Sequence, residues 1–249
     1  CATILIGLAA TEPSRADCWF LPPGGAYALG LHEVYKGQSF ANTPTVQDIV
    51  WLPDGRVAAG YHGYSTFYPK GGAIRITEAV TKKILFVTDS TITPPDEARS
   101  VNCLFGRELA TSGDFLATNF TAAASDSRPA NAGAVAIYKK GDSGQYVLED
   151  VVYAETPEAD DGFGAELAMT DQWLAVGDSG FGSKGGIRLF EREESGDWQL
   201  RTTLQLTATP SDTAATFLAL EMEGERLVVG QYRDGPAGFN GNVDIWRLQ

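Results

Sequence analysis

Histidine is nearly missing from this chain: His32 and His62 are the only two among 249 residues. A Ser-His-Asp triad would have to use one of them, and no Gly-x-Ser-x-Gly elbow, His-Glu-x-x-His pair or phosphate-binding glycine loop occurs. Cysteine is scarce too, with three residues and no Cys-x-x-Cys or Cys/His spacing, which argues against zinc. No run of 18 apolar residues exists, so the sequence offers no membrane-spanning helix. Cations are in short supply: Lys and Arg total 19 against 32 Asp and Glu, a formal charge of −13. Such a surface repels phosphate backbones and anionic membranes, so nucleic acid is not an expected partner. Charged residues are only 20% and hydrophobic ones 43%, a balance that argues against disorder.

What the chain does have is glycine, 28 residues, with 12 prolines and many Thr, Val and aromatic positions. That composition favours short strands joined by tight turns. The length suits one large all-β domain, and no linker or low-complexity tract divides it, so residues 1–249 read as a single domain.

The strands repeat. Phe105-Gly106-Arg107-Glu108-Leu109-Ala110 is followed by Phe115-Leu116-Ala117, and Phe163-Gly164-Ala165-Glu166-Leu167-Ala168 by Trp173-Leu174-Ala175-Val176-Gly177. A degenerate copy, Phe217 to Met222, precedes Leu227-Val228-Val229-Gly230, so the Phe spacings are 58 and 54 residues. Each copy continues with a loop and a run opening on glycine: Gly133 to Tyr138, Gly186 to Phe190, Gly241 to Trp246. The first two copies add a turn and a fourth run, Tyr146-Val147-Leu148 and Trp198-Gln199-Leu200, and Trp198, at the start of an outermost strand, is expected to be partly exposed. An upstream copy places strands at 48–52, 56–60, 72–76 and 83–87, and a compressed one precedes it. Four short strands per repeat of this length predict β-propeller blades, about five of them. The last copy lacks its fourth strand, so residues 3–8 are expected to pair with Val243–Trp246 and close the ring.

The pattern Phe-Gly-x-Glu-Leu-Ala, Leu-Ala-Val-Gly, Gly-Gly-Ile-Arg-Leu-Phe, Asp-Trp-Gln-Leu resembles the FG-GAP repeat, best over 163–206 and well over 104–153. The resemblance implies a propeller of the kind found in integrin heads and secreted proteins: extracellular adhesion or ligand binding, without catalysis. Many such blades carry an Asp-x-Asp-x-Asp-Gly calcium loop. Here the corresponding loops read Asp178-Ser179-Gly180 and Ser125-Asp126-Ser127-Arg128, and Asp160-Asp161 is a lone pair, so neither metal nor cofactor is expected.

Candidate site residues follow from the repeat. His32 and His62 each stand two residues past the glycine ending a second strand, and Asp178 and Tyr232-Arg233 hold related places. One reading is a ligand-facing rim; the other is that repeats retain similar turn residues. Tyr61, Tyr64, Phe67 and Tyr68 cluster in one loop, either for recognition or as a satellite core. Glu108, Glu166 and Glu221 recur at one repeat position, which reads as blade-to-blade structure rather than one active site, although carboxylates from different blades can pair. Asn119-Phe120-Thr121 fits an N-glycosylation acceptor. Cys1 could bridge Cys18 or carry a lipid; its place at the first position suggests processing or truncation, and Ala2–Ala10 resembles the end of a signal-peptide apolar region. Together these features predict a non-enzymatic binding, adhesion or structural module outside the cell or at its surface, its partner a protein or a glycan. The alternatives are a propeller lectin and, third, a glycan-active propeller enzyme.

Overall fold

A computed structural model describes residues 5–8, 15–20, 27–32, 46–62, 71–78, 87–95, 103–120, 132–156, 162–178, 185–205, 214–235 and 238–248. Every regular element among them is a strand. The first sheet is β1 (Leu5–Leu8), β2 (Arg15–Phe20) and β3 (Tyr27–His32). The second is β4 (Asp48–Trp51), β5 (Arg56–Gly60), β6 (Ile74–Glu78) and β7 (Val87–Ile92). The third is β8 (Leu109–Ser112), β9 (Phe115–Phe120), β10 (Ala134–Lys140) and β11 (Tyr146–Val152). The fourth is β12 (Phe163–Met169), β13 (Trp173–Asp178), β14 (Gly186–Arg192) and β15 (Trp198–Gln205). The fifth is β16 (Ala214–Glu223), β17 (Arg226–Gly235) and β18 (Gly238–Arg247). Each sheet is an antiparallel meander in chain order, so the architecture is all-β and propeller-like.

The packing explains the sequence pattern. The second and third strands of the third and fourth sheets are buried along most of their length and read as near-continuous apolar runs, because both faces are covered by neighbouring sheets. Three hydrophobic clusters each straddle two sheets. One joins Ile74 and Ile76 to Phe105 and Leu116, the next Ile137 to Phe163 and Leu174, the last Ile187 and Leu189 to Leu227 and Val229. Phe105 and Phe163 are fully buried at the seams. Each forms a parallel bridge with a glycine of the preceding sheet, Gly72 and Gly133. A Cβ on Gly72 would lie 2.0 Å from the Phe105 carbonyl oxygen, and one on Gly133 2.1 Å from that of Phe163. The repeated Phe and the glycine opening each third strand are therefore two halves of one inter-sheet contact.

Three expectations change. The fourth strand of the second sheet is Val87–Ile92, later than residues 83–87, because the register sets Ile92 opposite Ile74. Trp198, read as partly exposed at the start of an outer strand, is 4% exposed. Its ring meets Phe115 of the preceding sheet edge-on at 5.8 Å, so outer strands also lie under the neighbouring sheet. Among the described residues β1 pairs with β2, Leu5 opposite Trp19, and β18 pairs with β17; residues 243–246 have no pairing with β1.

Candidate active site

The first strands of successive sheets lie side by side: β8 against β4 and β12, and β12 against β16. The Leu109 amide donates to Asp48 Oδ2 at 2.8 Å and ties β8 to β4. Asp48 opens β4, Glu108 immediately precedes β8, and Glu166 stands in β12. The register of β12 shifts between Phe163 and Leu167, and this irregularity re-aims the segment that carries Glu166. Three carboxylates from three sheets thereby come within electrostatic reach of one another.

The environment of Glu108 and Glu166 raises their proton affinity. Glu108 is half-buried, and loss of hydration pushes its carboxyl up to about 7, with Glu166 and then Asp48 adding repulsion and Arg107 opposing. Glu166 is also raised, first by burial and also by Asp48, again against Arg107. Arg107 is exposed and makes no hydrogen bond or ion pair among the described residues. The next copy has Ala165 at its repeat position, so the arginine is not required by the repeat.

The backbone beneath Glu108 is held tightly. Thr118 Oγ1 donates to the Glu108 carbonyl at 2.9 Å, and the Glu108 amide donates to Asn119 Oδ1 at 3.0 Å. Asn119 Nδ2 donates to the Gly164 carbonyl at 2.7 Å. Asn119 is fully buried with both ends of its amide engaged, so the glycosylation reading is withdrawn: a buried, doubly bonded amide cannot accept a glycan in the folded chain.

The other sequence candidates disperse. Asp178 is not on a rim. It is fully buried, accepts from Arg188 Nε at 2.8 Å, and Arg188 lies over the Phe163 ring at 5.9 Å, so the group is an internal ion pair. Tyr61 and His62 follow Gly60, which stands opposite Asp48, so they lie at the carboxylate end of the second sheet. Tyr61 is half-buried with the Arg75 guanidinium 5.3 Å from its ring centre. His32 ends β3 opposite Arg15; Tyr232 and Arg233 lie in β17 opposite Thr216 and Ala215. Cys18 is in β2 opposite Ile6 and Leu29. Tyr64, Phe67, Tyr68, Cys1, Asp126, Asp160 and Asp161 lie outside the described residues. Of the three recurrent glutamates, Glu108 and Glu166 share a site, while Glu221 in β16 is exposed. Of the two glutamates that come together, only Glu108 follows an arginine; Ala165 stands at that position before Glu166.

A polar groove of about 600 Å³ opens at the opposite ends of the strands, lined by Asp54, Arg56, Asp114 and Lys140 and by the turn 141–145. Its charges neutralise one another: Arg56 Nη2 stands 2.8 Å from Asp54 and holds that carboxyl down at about 2, and Lys140 lies 3.0 Å from Asp114. It is a cross-linked seam. Among the described residues no group of three His, Cys, Asp or Glu is placed to hold a metal ion, and no helix is long and apolar enough to cross a membrane.

No protein-family model matches the chain, and no curated protein matches it. Among solved structures it superposes on a chain from Bacteroides uniformis provisionally described as a 6-phosphogluconolactonase, with a TM-score of 0.53 and 14% identity over 94% of this chain. The match spans 66% of that chain's length. A periplasmic gluconolactonase of Pseudomonas aeruginosa superposes less well, with a TM-score of 0.43 and 11% identity, over 100% of this chain and 83% of that one. At such identity the first likeness speaks for fold. The expectation of a non-catalytic adhesion module, and of no enzyme, is corrected: a solved structure that this chain matches in fold is provisionally described as a 6-phosphogluconolactonase.

Proposed function

We propose that this chain is a hydrolase acting on a sugar-derived ester, with a lactone as the substrate class to test first. The observation that carries the reading is Glu108: a half-buried carboxyl held near neutrality by its burial, Glu166 and Asp48, beside the exposed Arg107. A carboxyl poised near working pH is an effective general base and acid. In its ionised form Glu108 takes a proton from water as that water attacks the lactone carbonyl carbon. Arg107 faces the negative charge that develops on the carbonyl oxygen. When the intermediate collapses, the bond from carbon to ring oxygen breaks, and Glu108 passes its proton to the leaving oxygen, directly or by way of Glu166. The product is the open-chain sugar acid. The fold likeness to a protein described as a lactonase supports the choice of substrate class.

The test is hydrolysis of glucono-δ-lactone, followed by pH-stat and corrected for the spontaneous reaction. The chain should accelerate it, and Glu108→Gln should remove most of the acceleration. A wild-type rate equal to the spontaneous one rules the reading out.

We further infer that the five sheets are five blades of one FG-GAP-like ring, with β1–β3 between the fifth sheet and the second. Two opposed apolar faces support this. Ile49 and Trp51 on β4 are 59% and 61% exposed, and Val243 and Ile245 on β18 are 66% and 71% exposed. Every other seam described is filled by a sheet that is next in chain order.

A further inference from the structure

We propose that Asn119 is a positioning residue whose side-chain amide fixes Glu108 against Glu166; the proposal rests on the reading of those two carboxyls as the proton-transfer pair. The repeat itself singles the residue out. In each of the last four copies the second strand sets one residue opposite the position two beyond a glycine that leads into the third strand, Gly72, Gly133, Gly185 or Gly241. That residue is Gly60 opposite Ile74, Gly177 opposite Ile187 and Gly230 opposite Val243. In the remaining copy it is Asn119, opposite Val135. Three copies use glycine and one uses a large polar side chain, at the seam where the two carboxylate-bearing segments meet.

The geometry gives the exception a purpose. At the seam between the second and third sheets, a Cβ on Gly60 would lie 2.0 Å from the Gly106 carbonyl oxygen, so only glycine fits. At the next seam Asn119 takes that register position, and its side-chain amide lies between the two sheets. Its Oδ1 accepts from the amide of Glu108 itself at 3.0 Å. Its Nδ2 donates to the carbonyl of Gly164, two residues before Glu166, at 2.7 Å. One planar amide thus spans the two sheets, and its fixed length sets the spacing of the segments that carry the pair. The fit is close from the far side too: Gly164 has φ +91°, and a Cβ there would be 2.9 Å from Asn119 Cβ. A buried amide with both ends bonded has no freedom to yield, because an unmet buried donor or acceptor is costly. The charged groups facing Glu108 are Glu166 on β12, Asp48 on β4 and the adjacent Arg107. Fixing the Glu166 segment near it helps to keep the carboxyl in the range where it exchanges protons.

The test is Asn119→Gly, which installs the residue the other copies use. With ¹³C-labelled glutamate, the Glu108 carboxyl is titrated by NMR in wild type and variant, alongside the pH profile of glucono-δ-lactone hydrolysis. The expected result is a folded, cooperatively melting variant whose Glu108 midpoint falls from about 7 by at least one pH unit toward the ordinary 4.5. The rate profile should move with it. Leu174→Ala, a cavity in the hydrophobic cluster between the same two sheets, should lower the melting temperature and leave the midpoint in place. If Asn119→Gly does not fold, Asn119→Ser, too short to span both partners, carries the same expectation. An unmoved midpoint in the folded variant, or an equal shift in Leu174→Ala, overturns the proposal. Absence of lactone hydrolysis by wild type with a shifted midpoint would instead retire the catalytic reading and leave the clamp standing.

Discussion

A carboxyl that keeps its proton to neutral pH in the folded chain, but releases it near its ordinary value when unfolded, links proton binding to folding. Glu108 has an ordinary value of 4.5 and is raised to about 7 by burial and by Glu166 and Asp48. Between those values the folded state binds the proton and the unfolded state does not, so stability falls as pH rises through this window. The contribution is complete below about pH 4.5 and gone above about 7. Glu108→Gln cannot ionise and should escape the loss. Its melting temperature relative to wild type should therefore climb in the variant's favour between pH 5 and pH 8; a constant difference would mean that the carboxyl is solvated. The same residue gives the kinetic prediction. If Glu108 is the base, kcat/KM for the lactone rises through about pH 7, and Glu108→Gln flattens the profile and lowers the rate by roughly 10²-fold or more.

At the scale of elements, the seams decide stability. Phe163 and Trp198 occupy the same hydrophobic cluster, one at the start of a first strand and the other at the start of a fourth. Removing either ring should cost roughly 3–5 kcal/mol in denaturant unfolding, since both are buried and neither site can collapse easily. A neutral Trp198→Ala would contradict its contact with Phe115. Gly133→Ala tests the backbone side of the seam. It pushes a methyl to 2.1 Å from the Phe163 carbonyl oxygen, so a loss of roughly 1–3 kcal/mol is expected from overpacking, with further strain from a φ of +79°. The Phe-Gly periodicity and the glycines opening third strands were legible in sequence because the same local contact is made again at each seam. Trp198 and Asp178 were misread for one reason. A strand start or a strand end looks solvent-facing along the chain, yet here the neighbouring sheet covers it, and no local signal tells which ends are covered. Asn119 was misread similarly, through a three-residue acceptor pattern that carries no information on burial. The site escaped because Asp48, Glu108 and Glu166 come from three copies and form no motif. The repetition of Glu108 and Glu166 pointed toward structure, and only the packing of β4, β8 and β12 brings them together.

At the scale of the molecule, the chain leaves an apolar face at each end of its stack of packed sheets. Ile49 and Trp51 are on β4, Val243 and Ile245 on β18, and in each pair the residues alternate along one face of their strand. Their opposite faces are the ones buried against the third and fourth sheets, as Leu52 and Leu227 show. A formal charge of −13 keeps such a surface soluble, but it does not remove the cost of holding a tryptophan and two β-branched isoleucines in water. If the first sheet fills the space, one blade covers both faces and the ring has no open side. The double variant Trp51→Lys, Ile245→Lys separates the arrangements. In a closed ring it buries two unpaired charges against β1–β3 and should lower the melting temperature by many degrees. In an open stack both lysines meet solvent, and the melting temperature should hold or rise. Dependence on the first sheet gives the matching control: deleting residues 1–32 from wild type should reproduce the loss seen in the double variant, and should add little when made in that variant, because both changes remove the same contact.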